Sequence, residues 1–517
     1  MAINPVNANR VTGLASGLDT DTIVKSMLAS YQSRLDKQNQ STTKMQWKAD
    51  ALRSVNSLLK TFREGNLTAN TSTNMYGEAN YRAFDVTMLT TTSAVTIKAG
   101  SAALEGKMTI NSITQLAEAA SLDSTDVFSA EINRNAALKD LSFKTPLNFD
   151  ANGEIKFSIN GASFTFSQDT SLNDMMSEIN ASDAGVKISY SSLKDGFNII
   201  SKTTGSASKI EIKNTSGNLF SYQDGEGNTV AGAIGIAEQT KSGKDAMLKI
   251  DGIDVVKSSN TFTIDGITYT LNNEYIPASA DDKGISFTVT NNVDTVVDRI
   301  AKFVDSYNEL VGKLQDMVGE SVFRAYAPLT DEQKDNMKEA DIKKWEEKAK
   351  SGLLHNDSGI QGLLATFRKA LYTTVEGTGM KLSDIGLTTG SYADGAKITL
   401  NKNKLKTALE TNPDTVTNLF TKSFKSDDAN AKFNGSGFVA RVSTAMLNYT
   451  ERSTSISLKS LDKNISDAKD AVETLEEKMN TKSEALYKKF SAMEAALAKL
   501  NSQSNWMASM FSSGKSS

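Results

Sequence analysis

Cysteine is absent from this 517-residue sequence, and histidine occurs only once, as His355. The lack of cysteine excludes disulfides and thiolate-bound metals. One histidine is too few for a histidine-based metal cluster or a histidine-containing catalytic triad within a single chain. Long apolar runs are missing too: none approaches the ~20 residues of a membrane span. The sequence therefore predicts neither a metal cofactor nor a membrane partner.

The sequence also lacks a large excess of either charge, because it has 57 basic and 61 acidic residues and a net charge of -4. Without a basic excess, no nucleic-acid partner is expected. The first ten residues are polar and lack the basic and apolar regions of a signal peptide. On composition alone, the chain is expected to be a cytoplasmic protein of three or four domains at about 150 residues each.

Motifs that bind phosphate or metal are incomplete. Gly243-Lys244 is followed by Asp245, and no glycine stands five residues earlier, so the phosphate-binding loop pattern fails. The stretch from Asp224 to Asn228 lacks the spacing and the final glutamate of a calcium-binding loop. His355 is predicted to lie at the surface of a helix-to-loop junction. No residue is selected as acid or base, so the chain is predicted not to be an enzyme and to need no cofactor.

Both ends of the chain have helical periodicity. Near the N-terminus, apolar residues recur every three or four positions from Val24 to Leu59, after N-cap candidates at Asp19 to Asp21. Near the C-terminus, Ser453–Asn505 contains no glycine or proline and would form a helix of about 80 Å. The apolar stripe along this helix, its seam, has two parts. The first is Leu458, Leu461, Ile465, Ala468, Val472, Leu475 and Met479, and the second is Leu486, Phe490, Met493, Leu497 and Leu500. So narrow a stripe needs a partner helix, either the N-terminal helix or another copy of the chain.

The middle of the chain, from Tyr81 to Asn291, alternates with a period of two, which is typical of half-buried strands. Turn dipeptides punctuate it at Asn160-Gly161, Asp195-Gly196, Asp251-Gly252 and Asp265-Gly266, and these favour tight hairpins. Residues 81–291 are therefore predicted to hold two small β-rich domains, with one helix near 172–180.

Helical periodicity returns at Val293 and continues in a bundle-like stretch to Phe420. Thr330 and Gln333 match a capping box, and we expect the helix that they begin to end at Gly352. A hairpin is expected around Asp394-Gly395.

Several motifs resemble the flagellar filament cap family, also called flagellar hook-associated protein 2. Residues 17–24, Gly-Leu-Asp-Thr-Asp-Thr-Ile-Val, resemble its N-terminal signature, and residues 306–311, Ser-Tyr-Asn-Glu-Leu-Val, resemble its "YNxLV" helix. The remaining matches, in chain order, lie at 250–255, 260–271, 382–386, 400–409, 412–420 and 503–506. Residues 159–161 resemble a short repeat found in flagellin and hook proteins. Together they cover nearly the whole chain in the family's order.

The resemblance implies an α+β fold with terminal coiled-coil helices, a helical-bundle body and two β-rich head domains. The predicted segments are the N-terminal leg 1–40, disordered or helical, body helices 41–80, head domain A 81–122, head domain B 123–238, the second part of A 239–292, the body bundle 293–445 and the C-terminal coiled-coil leg 446–517.

The resemblance also implies a function. Members of the family form an oligomeric cap at the distal tip of the flagellar filament, which prevents flagellin leakage and promotes flagellin polymerisation and filament elongation. The expected partners are further copies of the chain in a ring-shaped, pentamer-like homo-oligomer, flagellin, hook–filament junction proteins and an export chaperone. Host mucin or surface glycans are additional candidates, with a role in adhesion. Export through the flagellar type III pathway without a cleaved signal peptide replaces the cytoplasmic expectation.

Two sets of residues are predicted to mediate assembly. The filament and subunit interface comprises Leu18, Asp19, Ile23, Val24, Leu28, Leu458, Leu461, Ile465, Val472, Leu475 and Met479. The stripe for the chaperone and for assembly comprises Leu486, Phe490, Met493, Leu497 and Leu500. An alternative is that the stripe packs only within the subunit. For the whole protein, the alternatives are another flagellar axial protein, such as a junction protein or flagellin, and a coiled-coil surface adhesin.

Overall fold

A computed structural model describes residues 16–68, 74–279, 281–390 and 394–513, with side chains to residue 510. The chain forms two units, one of Met1–Tyr81 with Asp294–Ser517 and one of Arg82–Val293. The first is built from helices and the second mainly from strands, so the predicted α+β class is confirmed.

The helices lie mainly in the first unit. In chain order they are α1 Thr20–Asn66, α2 Leu172–Ala181, α3 Val293–Gly319, α4 Asp331–Asp335, α5 Glu339–Lys350, α6 Ser358–Tyr372, α7 Lys402–Thr411, α8 Pro413–Thr421, α9 Ala429–Gly435, α10 Phe438–Asn448 and α11 Thr454–Ser513. A π-turn, Tyr449–Ser453, joins α10 to α11. The two long terminal helices predicted from periodicity are α1 and α11.

The strands lie mainly in the second unit. In chain order they are β1 Phe84–Met88, β2 Val95–Ala99, β3 Gly106–Gln115, β4 Ala119–Asp123, β5 Glu154–Ile159, β6 Ala162–Ser167, β7 Val186–Ser191, β8 Gly196–Thr204, β9 Lys209–Ser216, β10 Ser221–Gln223, β11 Thr229–Ala231, β12 Thr240–Ser242, β13 Ala246–Ile250, β14 Ile253–Lys257, β15 Thr261–Ile264, β16 Ile267–Leu271, β17 Ile285–Asn291, β18 Leu387–Thr389 and β19 Ile398–Leu400.

The core of the helical unit forms around α3, whose apolar residues recur at helical spacing and are buried. Its Tyr307 ring lies 5.7 Å from the ring of Phe367 on α6 and 5.8 Å from that of Phe438 on α10, measured between centroids. Phe62, near the end of α1, lies 6.0 Å from Phe303. These aromatic contacts join the C-terminal end of α1 to the bundle. Buried aromatic pairs stabilise a fold by more than the burial of their apolar area alone.

The α3 segment 306–311 holds the β18–β19 hairpin in place. The Tyr307 hydroxyl donates to the Ala396 carbonyl (3.0 Å). The Asn308 amide group donates to the Ile398 carbonyl (2.8 Å) and accepts from the Ile398 amide (2.7 Å), as a neighbouring strand would. The hairpin expected around Asp394-Gly395 is present as β18 paired with β19, although residues 391–393 lie outside the described part.

The segment after α3 differs from the sequence prediction. The Thr330–Gln333 capping box is confirmed, but the helix that it begins, α4, ends at Asp335, and α5 is a separate helix. Every residue of α4 is at least partly exposed, so little packing supports continuation beyond its cap. The expectation of one helix up to Gly352 is therefore wrong.

Two hydrophobic clusters divide the β-rich unit. One lies between the sheets β1-β17-β3-β13-β14 and β15-β16-β2 and draws its residues from 94–117 and 246–289. The other lies among β12-β9-β5-β6, β4-β8-β7 and α2, and draws on residues 120–236. The predicted helix near 172–180 is α2.

Three of the four turn dipeptides form two-residue hairpins. Asn160-Gly161, Asp251-Gly252 and Asp265-Gly266 all have positive φ at both residues, as a type I′ turn requires, and they connect β5–β6, β13–β14 and β15–β16. Asp195-Gly196 is different, because Gly196 is already in β8. A Cβ at Gly196 would lie 1.9 Å from the Ser124 carbonyl oxygen, so close approach of the backbone requires glycine there.

Candidate assembly surface

Helices α1 and α11, from opposite ends of the chain, pack against each other as an antiparallel pair, which is called the leg below. Its register is marked by three pairs: Tyr487 donates to the Asp21 carboxylate (2.8 Å), Gln38 donates to the Ala468 carbonyl (3.5 Å), and Arg53 pairs with Asp462 (2.7 Å). Residue numbers rise along α1 as they fall along α11. One of the two partners predicted for the C-terminal seam, the N-terminal helix, is therefore in contact with it.

The start of α1 is set by the 17–24 segment. Gly17 has φ +73°, which turns the chain into the helix. Asp19 is the N-cap, and its carboxylate accepts from the Thr22 amide (3.0 Å) and hydroxyl (2.6 Å). These bonds, first that from the Thr22 side chain, lower the pKa of Asp19. Its charge also favours the positive end of the helix dipole, so this segment defines where α1 begins.

The seam between the two helices is apolar near its free end. Val24, Leu28 and Leu35 of α1 are buried with Met479 of α11. The partly buried side chains that pack against them are those of Tyr31, Val472, Leu475, Leu486, Tyr487 and Phe490. Burial of such residues supplies most of the stability of a long helix pair, because isolated helices nucleate poorly.

A polar contact closes the seam at the start of α1. Glu494 is only 6% exposed, and its carboxylate accepts from the amide of Ser16 (3.2 Å) and from the Ser16 hydroxyl. A buried polar pair in a helix seam fixes the register of the two helices. In any shifted register the buried carboxylate would lose its hydrogen-bond donors. Ser16–Glu494 and Asp21–Tyr487 together fix the register of the leg.

Beyond Glu494, α11 continues for several turns with apolar side chains facing solvent. Leu500, Trp506, Met507 and Met510 are all more than half exposed in the described part of the chain. From Leu500 to Gly514 the sequence has no charged residue, unlike the rest of α11. We call Leu500, Trp506, Met507 and Met510 the distal patch. Such a neutral, apolar surface is typical of a site for another protein.

The predicted interface residues occupy three environments. Those buried in the subunit are Val24, Leu28, Ile465 and Met479. Those partly buried are Ile23, Leu458, Leu461, Val472, Leu475, Leu486, Phe490, Met493 and Leu497. Those exposed are Leu18, Asp19 and Leu500. Leu486 and Phe490 pack within the subunit's own leg, as the alternative for the stripe expects, whereas Leu500 does not.

Sequence reasoning did not assign Trp506, Met507 or Met510 to the assembly surface. The apolar spacing changes after Leu500, so the seam pattern that identifies the residues before it stops there. The signal that could have found them is the loss of charge after Lys499, because an exposed helix normally carries charged residues on its solvent face.

Sites for small-molecule chemistry are not evident in the described ranges. No group of three or more His, Asp or Glu residues is placed to hold a metal ion there. The Asp224 carboxylate instead accepts from the amides of Glu226 and Asn228 in a turn. No helix of the described chain is both long enough and apolar enough for a bilayer crossing.

Comparisons with known proteins agree on one family. Residues 16–120 match the model described as flagellar hook-associated protein 2 N-terminus, and residues 243–502 match the corresponding C-terminus model. The flagellar hook-associated protein 2 of Halalkalibacterium halodurans is 30% identical over 435 residues, which cover 79% of this chain and 78% of the relative. The protein of that name from Thermotoga maritima is 26% identical over 384 residues, covering 68% of this chain and 54% of the relative.

A solved structure shows the same fold. The crystal structure of the D1-D2-D3 domains of the flagellar cap protein FliD from Escherichia coli has a TM-score of 0.53 with this chain at 19% sequence identity. The match covers 80% of this chain and 99% of that structure.

Proposed function

This chain belongs to the flagellar hook-associated protein 2 family, the caps of bacterial flagellar filaments, and we propose that the distal patch of its leg is the surface that joins other helices at the filament tip. The single observation that carries this proposal is the patch itself: exposed apolar residues on a helix segment without charge. The remainder of the predicted interface acts indirectly, because its buried members hold the leg together.

The patch is large enough to contribute to binding. Complete burial of a leucine- or methionine-sized side chain stabilises by about 1.5–3 kcal/mol. Since each of the four residues is already about half buried, covering the rest would contribute about 1 kcal/mol per residue, or on the order of 4 kcal/mol for the patch. That is insufficient for a stable complex of two chains. It becomes effective when several legs associate side by side, as in a ring.

The partners follow from the family and the surface together. We infer a ring-shaped homo-oligomer that contacts flagellin and the hook–filament junction proteins at the tip, after export through the flagellar type III pathway. Before export, the distal end of α11 would be covered by a chaperone, for which Met493, Leu497 and Leu500 remain the proposed contacts. Binding of host glycans by the β-rich unit stays a prediction.

Genetic complementation tests the capping role. In the source bacterium, deletion of the gene should leave flagellin in the medium as monomer, and the wild-type gene should restore filaments and swimming. Losing flagellin itself would leave none to secrete, which separates a cap from a flagellin. Wild-type filaments on the deletion strain would contradict the capping role.

Substitutions in the patch test the proposed surface. Leu500→Asp with Met507→Asp should abolish complementation, because both charges would be buried without partners on assembly. Ser502→Asp with Ser504→Asp is the matched control, since it adds the same charge at exposed positions of the same helix. Both purified variants should melt like wild type, because none of these side chains is buried in the subunit. Full complementation by the Leu500 and Met507 double variant would refute the assignment.

A further inference from the structure

The buried face that runs from α10 into α11 contains one residue more than a regular α-helix accommodates. Around the junction of α10 and α11, the fully buried residues are Met446, Tyr449 and Thr454, and the partly buried apolar residues Leu458 and Leu461 continue the same face. Their spacings are three, five, four and three. An α-helix presents the same face every three or four residues, so the step from Tyr449 to Thr454 is too long by one.

The π-turn absorbs this additional residue. The Thr454 amide donates to the Tyr449 carbonyl, five residues back, where an α-helix would use the carbonyl four residues back. The Thr450 hydroxyl donates to the Met446 carbonyl (3.0 Å) at the entrance to the turn. As a result, α10 keeps its apolar face on the bundle while α11 keeps its own on α1.

The π-turn lies where the leg leaves the bundle. A Cβ added at Gly359, in the first turn of α6, would lie 3.2 Å from Tyr449 Cε2 and 3.3 Å from Ser453 Oγ. The contact is therefore tight enough to favour glycine at position 359. The turn is firmly packed on the bundle side. On the leg side, the ion pair of Arg53 with Asp462 links α1 to α11.

The packing at this level is polar and incompletely bonded. The hydroxyls of Tyr449 and Thr454 are buried and interact only with each other in the described ranges, and the side-chain oxygen of Asn56 on α1 is buried there without a hydrogen-bond partner. Buried polar atoms without partners cost free energy. The native packing at this level is therefore less stable, relative to other arrangements of the two helices, than the apolar packing near the start of α1.

We propose that the π-turn Tyr449–Ser453 is a hinge between the bundle and the leg. Its backbone carbonyls can exchange between donors four and five residues ahead, and each exchange bends or rotates α11 without changing side-chain contacts elsewhere. Helix α1 crosses the same level without a break, and a long helix follows by gentle curvature. The hinge does not depend on the proposed distal patch, because its geometry lies entirely at the other end of the leg.

Deletion of Glu451, an exposed residue of the turn, tests the hinge. The deletion shortens the five-residue step to four, so a continuous α-helix should form with both seams in phase. We expect a melting temperature equal to or above that of wild type. Deletion of Glu473, within the regular part of α11, is the control: it shifts the seam by one residue and should lower the melting temperature of the leg.

Distances between spin labels report the motion directly. The chain has no cysteine, so Glu410→Cys in the bundle and Lys478→Cys in the leg can be labelled without background. In the full chain, the distance distribution should be at least twice as wide for wild type as for the Glu451 deletion. A pair within the leg, Lys37→Cys with Lys469→Cys, should give the same narrow distribution in both. Equal widths for the bundle-to-leg pair would overturn the proposal.

Amide hydrogen exchange provides a second measurement that does not depend on the variant folding. In the wild-type chain, amides of residues 450–454 should exchange at least tenfold faster than amides in the middle of α10 and in α11 around Met479. Protection equal to that of the flanking helices would overturn the hinge regardless of how the deletion variant behaves.

Discussion

Arg441 in α10 is predicted to be the most sensitive single polar residue of the helical unit. Its side chain is only 2% exposed, and its guanidinium group donates exclusively to carbonyl oxygens in the contacts described. These acceptors are the carbonyls of Ala370, Thr373, Thr374, Phe433 and Asn434, at 2.6–3.0 Å. The acceptors lie at the C-terminal ends of α6 and α9, where the helix dipoles are negative and carbonyls lack partners within the helix.

Replacing Arg441 by Met keeps much of the volume and removes all five donors. The Asn434 carbonyl would keep the Glu376 amide as a partner (3.1 Å), so it is not stranded. If three of the other acceptors lose their partner at about 1–2 kcal/mol each, the unit should lose about 3–6 kcal/mol of unfolding free energy. Arg441→Lys keeps the charge with three donors and should recover part of that loss.

Urea unfolding of the full chain, followed by circular dichroism at 222 nm, measures this effect. The helical transition should move to lower urea in the order wild type, Arg441→Lys, Arg441→Met, while the transition of the β-rich unit stays in place. Burial lowers the pKa of Arg441 to about 10, so the group stays charged from pH 5 to 8 and the difference should not vary over that range. A loss below about 1 kcal/mol for Arg441→Met would refute the reasoning, because an unpaired buried carbonyl alone costs that much.

Three further outcomes follow from local geometry. Asn308→Ala should speed amide exchange in the β18–β19 hairpin by removing both bonds to Ile398, whereas Ser306→Ala should not; equal protection in the two variants would contradict the clamp. Gly266→Ala should lower the melting temperature more than Gly252→Ala, because both have positive φ but only at Gly266 would a Cβ collide with Ala102, at 2.3 Å; equal losses would show that φ alone matters. Two neighbouring lysines lower the pKa of Glu211 to about 2, so its stabilising effect is present above its ordinary pKa of 4.5 and is lost as the pH falls towards 2. Glu211→Gln should therefore remove part of the decline in melting temperature between pH 4.5 and 2, and an unchanged decline would contradict it.

Local rules recovered much of the fold from sequence. The period of α3 correctly identified its buried residues, since nine apolar positions from Val296 to Leu314 are all buried. The capping box at Thr330 and the hairpins at Asn160, Asp251 and Asp265 were also predictable. In each case the information lies within a few residues of the chain, where capping and turn chemistry act.

Features that depend on distant contacts were not predictable. A seam shows that a helix needs a partner but not which one, so Leu486 and Phe490 could be assigned to an external partner although they pack on α1. The π-turn was hidden because Thr454 is polar and neither glycine nor proline marks the step. The burial of Arg441 depends on the C-terminal ends of two helices. One lies about 70 residues and the other about 7 residues earlier in the chain, and no local sequence pattern encodes that meeting.

Most of the motifs that carry the family resemblance hold the subunit together, and only Trp506, at the end of residues 503–506, belongs to the exposed distal patch. Residues 17–24 cap α1 and help fix its register on α11, and residues 306–311 clamp a hairpin. Such contacts need particular side chains at particular positions, so they leave a recognisable sequence signature. The distal patch needs only apolar, uncharged residues on one end of a helix, and many sequences satisfy that requirement. A search for motifs therefore identifies the family, whereas the assembly surface becomes visible only when exposure and charge are considered together along α11.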